Sequence, residues 1–268
     1  MKTSYLKTFS VFIFSSLTSC LFHAQQIADK KIQAGITTNF GLNSVNMGTS
    51  RMDKNGPGTN FSIGMLLHKP FTDSKNFGFS SGLEFDFGSL KFEKSVDSDE
   101  ILYNYSDRDI LVSSDTSKNI FSLKNRKHKT IQLSIPIALL FRTDMIGNFR
   151  YFTKFGLKNS FVISNKMDDE GTDKTTSTNV EKINVGMKSK NELFFYQAAI
   201  GLSLGAEWNF IGSTSLIGEI SYHYGVTPLF LERKEEKRTL YYYEGGSITT
   251  FSNKATQNQF NLKIAILF

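Results

Sequence analysis

The 268-residue chain contains one cysteine, four prolines and four histidines. The lone cysteine, Cys20, excludes an internal disulfide framework. So few prolines leave long stretches free to make uninterrupted strand ladders. Past residue 22 no apolar run approaches the roughly 20 residues that a membrane helix needs. No grouping of His, Cys, Asp and Glu has metal-ligand spacing: His23 falls near the start, and His68 and His128 fall at strand ends. Neither a metal nor any other cofactor is expected. The net charge of +6 is spread along the chain. A nucleic-acid binder would cluster it, so no nucleic-acid partner is expected. The one basic run, Lys124–Arg126–Lys127–His128–Lys129, reads as a solvated loop or an anionic-lipid contact at the top of a strand.

What the chain has instead is aromatic and small residues, with 25 Phe, 10 Tyr and 20 Gly. Residues 1–24 read as a secretory signal peptide, with Lys2 and Lys7 ahead of the apolar stretch Phe9–Phe22. Cleavage after Ala24 would leave 25–268 as a single domain starting at Gln25. Leu17-Thr18-Ser19-Cys20 offers the alternative of a lipidated Cys20.

The closing stretch QFNLKIAILF sets the pattern for that domain. Phe260, Leu262, Ile264, Ile266 and Phe268 share one parity, while Asn261, Lys263 and Ala265 share the other. In a strand this gives one apolar and one mostly polar face. The same alternation recurs over 32–42, 61–67, 77–87, 131–141, 149–163, 194–210 and 216–226. Phe152, Val162 and Ile217 are exceptions, and Pro136 implies a bulge or broken pairing. The connections alternate long and short, the long ones being 43–58, 88–129, 164–193 and 227–258.

Eight strands, short turns at one rim and long loops at the other predict an all-β, antiparallel up-and-down transmembrane β-barrel. An eight-stranded lumen holds side chains but not a wall of phenylalanines, so the apolar face must be outside, against lipid. Tyr151, Tyr196, Trp208, Phe210, Tyr222 and Tyr224 lie where interfacial belts would.

The inward parity carries Glu84, Asp86, Arg150, Lys154, Lys158, Glu207, Glu219 and Lys263. In a narrow lumen these should pair, Arg150 with Glu207 and Glu219 with Lys263, into a structural charge network rather than an ion path. Ser221 and His223 share the inward face near Glu219, the residue types of a hydrolase. They point into the lumen, however, and a polar ladder accounts for them. Tyr241, Tyr242 and Tyr243, in the last long loop, offer either a surface for a protein or glycan partner or packing against neighbours.

IQLSIPIALLFR (Ile131–Arg142), AAIGLSLGAEWNF (Ala198–Phe210) and the ending FNLKIAILF resemble the PorT-like outer-membrane β-barrel family. The resemblance implies an eight-stranded barrel in the outer membrane of a Gram-negative bacterium, with membrane lipid as its surroundings. It implies no shared activity and no catalytic residues. Phe268 resembles the terminal aromatic by which barrel-insertion machinery selects its clients. The expected role is non-enzymatic: envelope structure, or binding through the long loops. An accessory role in protein secretion is the alternative, and a lipid-modifying enzyme built on Ser221 and His223 a further one.

Overall fold

The computed structural model describes residues 32–49, 51–71, 76–114, 119–175, 179–189, 192–211 and 213–268. The leader, with Ala24 and Cys20, lies outside the described residues, as do Asp73 and Gly212 in two of the short links.

The eight long strands are β1 (Gln33–Met47), β2 (Gly58–Pro70), β3 (Phe77–Lys94), β4 (Asn119–Arg142), β5 (Phe149–Asp173), β6 (Tyr196–Ile211), β7 (Thr214–Gly225) and β8 (Ala255–Leu267). Each pairs antiparallel with the next, and β8 returns to β1 from Gly35↔Leu267 to Met47↔Ala255, which closes the ring. Closure leaves the eight strands without an open edge, the condition for crossing a hydrocarbon layer with strands. The N–H of Phe268 adds a last bond to the Ala34 carbonyl at 2.8 Å.

The pleat sorts the side chains. On β8, Phe260, Leu262, Ile264 and Ile266 are exposed while Asn261, Lys263 and Ala265 are buried. The same division holds round the ring, so the exterior is a continuous belt of Phe, Leu, Ile and Met and the interior is largely polar. Aromatic rings mark the belt's ends. Phe149 stacks on Trp208 at the turn end, with centroids 6.1 Å apart, and Phe161 packs on Tyr196 toward the loop end. At Pro136 the β3–β4 ladder skips from Ser81↔Ile137 to Glu84↔Ser134, and the Ser81 hydroxyl donates to the Pro136 carbonyl at 2.9 Å.

Two expectations need correction. First, several strands run well past the belt, most of all β4 and β5. Second, the supposed long loops contain further strands: Met52–Lys54, Ile101–Ser106, Asp109–Ile110, Val180–Met187, Leu240–Glu244 and Ser247–Phe251. These extend the wall into a layer with its own apolar core, including Met52, Phe92, Ile101, Tyr103, Phe121, Met167, Phe230 and Leu240.

On β4 and β5 the switch from polar to apolar interior involves two bulges, whereas β3 carries Leu90 and Phe92 on the same parity as Glu84 and Asp86. Register shifts between Ile131 and Gln132 leave Ile163 as an extra residue on β5. A second shift leaves Lys124 extra on β4. One added residue turns every later side chain to the other face. Beyond Ile163 the inward residues of β5 are Met167, Asp169 and Gly171, and beyond Lys124 those of β4 are Leu123 and Phe121.

Candidate functional site

Two places in this fold hold buried chemistry: the lumen at membrane height and the core of the loop-end layer. The lumen is stacked in tiers, because inward positions of one height on eight tilted strands converge on the axis.

At the turn end Leu66, Leu140, Phe152, Ile217, Ala265 and Leu267 form an apolar plug. Phe152 and Ile217, the exceptions to alternation, are therefore inward apolar residues. Gly205 provides the room for Phe152. A side chain at that glycine would place its Cβ 2.3 Å from the Phe152 ring. His68 is fully buried with its ring edge-on to Phe152, centroids 6.4 Å apart, and the Lys154 ammonium lies 4.9 Å from the same ring.

Above the plug come the ion pairs. Lys154 Nζ meets Glu219 Oε2 at 2.6 Å, Lys263 Nζ meets Glu84 Oε1 at 2.8 Å, and Lys158 Nζ meets Asp86 Oδ2 at 2.8 Å. Ser134 donates to Asp86 and shares a 2.7 Å hydrogen bond with Ser160, while Lys158 also donates to Gln259 at 3.2 Å. At the turn-end rim Arg142 reaches Glu207 at 3.5 Å and Gln33 at 2.8 Å.

The structure thus puts Glu84, Asp86, Lys154, Lys158, Glu207, Glu219 and Lys263 in the buried interior, with Arg150 half-buried at the rim. The pairing differs from the expectation. Arg150 is Glu207's register neighbour and Lys263 is Glu219's, yet each carboxylate takes a cation from two strands away. Side chains converging on a narrow axis reach past adjacent strands, so register does not fix partners. Arg142 escapes a reading by alternation because it stands next to the turn, and His68 because it falls at a strand end.

A third, uncharged tier completes the lumen. Asn39 donates to Ser62 at 2.6 Å and Asn60 to Asn261 at 3.4 Å. The His223 ring approaches Asn261 at 3.4 Å and lies over Gly201, whose added Cβ would fall 2.4 Å from it. Ser221 is buried beside this tier, and the imidazole contacts Asn261 rather than Ser221. Two spaces between these lumen side chains measure about 20 and 30 Å³. Spaces of that size hold about one water each.

The loop-end core encloses a buried ion cluster. Arg126 gives a two-pronged bond to Asp169, Nε to Oδ1 and Nη2 to Oδ2 both at 2.8 Å, and its Nη1 donates to Glu192 at 2.9 Å. Burial would lower the guanidinium's pKa, but the two carboxylates outweigh it and hold it above the ordinary value. Burial lowers the pKa of the neighbouring His128, which sits edge-on to Phe92 and Phe230. Part of the basic run is therefore interior. Carrying the alternation of β4 back from Gln132 through Thr130 and His128 to Arg126 would have found it.

The tyrosine triple is mostly packing. Tyr241 and Tyr242 are buried, the first donating to Asn104 at 2.8 Å and the second lying 3.4 Å beneath the Arg51 guanidinium; Tyr243 is exposed.

The model of a family described as "Outer membrane protein beta-barrel domain" matches residues 23–231. Comparison with curated protein sequences finds no match. Among solved structures the chain is similar to Neisserial surface protein A, at 10% identity over 89% of this chain and 96% of that one, with a TM-score of 0.37. It is similar to OprG of Pseudomonas aeruginosa at 9% identity, over 88% of this chain and 92% of that one, with a TM-score of 0.38. A major outer membrane protein of Thermus thermophilus gives 13% identity, over 88% of this chain and 98% of that one, with a TM-score of 0.35. With most of its length matched and its eight strands closed around a polar lumen, the chain belongs to the outer membrane protein beta-barrel domain family and resides in the outer membrane.

Proposed function

We propose that this protein is a non-enzymatic, non-conducting barrel that serves the envelope through its folded loop-end layer. The observation carrying this reading is the filled lumen: an apolar plug lies beneath three buried ion pairs, and two spaces among these side chains measure about 20 and 30 Å³. The sequence's investment lies above it, where the long connections build a second apolar core. An ordered layer of that kind is a platform for a protein or glycan partner. Planar-bilayer recordings of the purified protein should be silent; stable unitary currents would overturn the reading. Ser221→Ala with His223→Ala should leave outer-membrane lipid composition unchanged.

Three finer assignments belong to the same proposal. Residues 1–24 act as a cleaved export signal, which N-terminal sequencing would test by finding Gln25 rather than a lipidated Cys20. Phe268 addresses the chain to barrel-insertion machinery, so Phe268→Ala should lower the yield of heat-modifiable barrel. Membership of the PorT-like branch is supported by the resemblance of Ile131–Arg142, Ala198–Phe210 and the closing strand. An accessory role in secretion is its alternative, scored by export of secreted proteins in a deletion strain.

A further inference from the structure

The outward face of β3, β4 and β5 just past the apolar belt carries its charges in rows. Phe87 and Ile131 are the last belt residues of β3 and β4, and Ile163 that of β5; all three are exposed. The next outward row, read across the three strands, is Ser89↔Lys129↔Lys166. The row above it is Lys91↔Lys127↔Asp168, and the third is Glu93↔Asn125↔Glu170. The bulge at Ile163 is what brings Lys166 to this surface, while Arg126, His128, Met167 and Asp169 point inward.

Two features single these rows out. Lysine stands directly opposite lysine twice, at Lys129↔Lys166 and Lys91↔Lys127, an arrangement that is unfavourable unless something anionic lies between. Asp168 pairs with Lys129, and among the described residues Lys91, Lys127 and Lys166 make no ion pair. Apart from Asp168, the acidic side chains of these rows, Glu93 and Glu170, stand in the row farthest from the belt.

Height then decides the ligand. At about 3.3 Å per residue and a tilt near 45°, the two lysine rows lie roughly 5 and 9 Å beyond the last apolar residues. The headgroup zone of a bilayer reaches about 5–7 Å beyond the hydrocarbon, so the first row lies within it and the second row's long side chains can reach down to it. The acidic row, two residues further on, lies outside it.

We infer that Lys127, Lys129 and Lys166, flanked by Lys91, form a binding site for the phosphate of an outer-leaflet glycolipid whose acyl chains lie on the belt below. The lysine ammonium groups supply the charge, the belt holds the chains, and Asp168 limits the site's strength by occupying one cation. The site is independent of whatever the loop-end layer binds.

The test uses the full-length protein in phosphatidylcholine nanodiscs titrated with lipid A, a phosphorylated acylated disaccharide. Lys127→Gln, Lys129→Gln and Lys166→Gln together should weaken binding by roughly 100-fold at low salt, since each lysine acts near an anionic surface. Binding to the unmodified protein should fall as salt is added. The triple arginine variant should retain it, and Asp168→Asn alone should tighten it. A control triple, Lys69→Gln at the turn end with Lys234→Gln and Lys237→Gln, removes the same charge elsewhere and should have no effect. Heat-modifiable migration verifies that each variant is folded. Equal loss in the control triple, or equal binding of dephosphorylated lipid A, would overturn the site. Competition by free inorganic phosphate at lipid A's own concentration would reassign it to a soluble anion. Should the glutamine triple fail to fold, unchanged affinity in Asp168→Asn would refute the proposal by itself.

Discussion

Lys263→Met is the sharpest probe of whether the lumen is dry. The ammonium sits 2.8 Å from Glu84, with the two side chains 10% and 3% exposed. Neighbouring cations are engaged: Lys158 is held by Asp86 at 2.8 Å and Lys154 by Glu219 at 2.6 Å. Methionine fills the space of the lysine stem but leaves the carboxylate buried and uncompensated. Breaking a buried pair in this way costs about 3–5 kcal/mol, whereas breaking a solvated pair costs about 0–1 kcal/mol. Adding Glu84→Gln removes the stranded charge and should recover most of the loss, so the cycle should show strong positive coupling. Urea unfolding from lipid vesicles can be followed through Trp208, the chain's one tryptophan, and checked by gel mobility. A cost near 1 kcal/mol without coupling, about that of a solvated pair, would mean that water reaches the pair. That would refute the closed lumen and with it the non-conducting reading.

Arg126→Met should be as costly to the loop-end layer, because it leaves Asp169 and Glu192 facing apolar side chains; about 3–5 kcal/mol is expected. Its signature is proteolysis confined to 95–130 and 164–193, with the belt-height core still protected. Asp173 gives a pH dependence. Burial would raise its pKa, but hydrogen bonds from Thr175, Tyr105 and Lys182 bring it down from 3.8 to about 2. A folded pKa below the unfolded one means the contribution is complete above the unfolded value and is lost as pH falls from about 4 to about 2. An NMR titration of the carboxyl carbon should place its midpoint below 3.8. Deleting Ile163 should turn Lys166, Asp168 and Glu170 inward, abolishing the loop-end layer while the eight-stranded ring survives as a heat-modifiable species.

The ring was legible because lipid imposes one rule on every strand, apolar outward, and short turns keep neighbours in order. Phe85 and Phe87 opposite Glu84 and Asp86 state that rule without ambiguity. The plug was not legible. Leu66, Leu140, Phe152 and Ile217 are apolar at inward positions, and their common height at the turn end emerges only when the strands are set in register. Ion partners were misread for the related reason that Lys263 reaches Glu84 from three strands away. The loop-end strands escaped because polar segments surround them. Ile101, Tyr103 and Tyr105 alternate over too short a span to stand out among Asp, Ser and Asn.

The bulges explain why a single pleat can serve two solvents. Below the level of Ile163 the wall faces hydrocarbon, and its interior takes the polar side chains. Beyond the lysine rows it faces water, and an apolar interior holds the extension together. On β3 the inward parity is unbroken and the residues on it change instead, from Glu84 and Asp86 to Leu90 and Phe92. At Ile163 the chain instead places two successive side chains, Ile163 and Ser164, on the outer side. The first still belongs to the belt and the second opens the lysine rows. The parity change on β5 therefore coincides with the edge of the membrane, and the same residue that completes the lipid surface turns Lys166 outward.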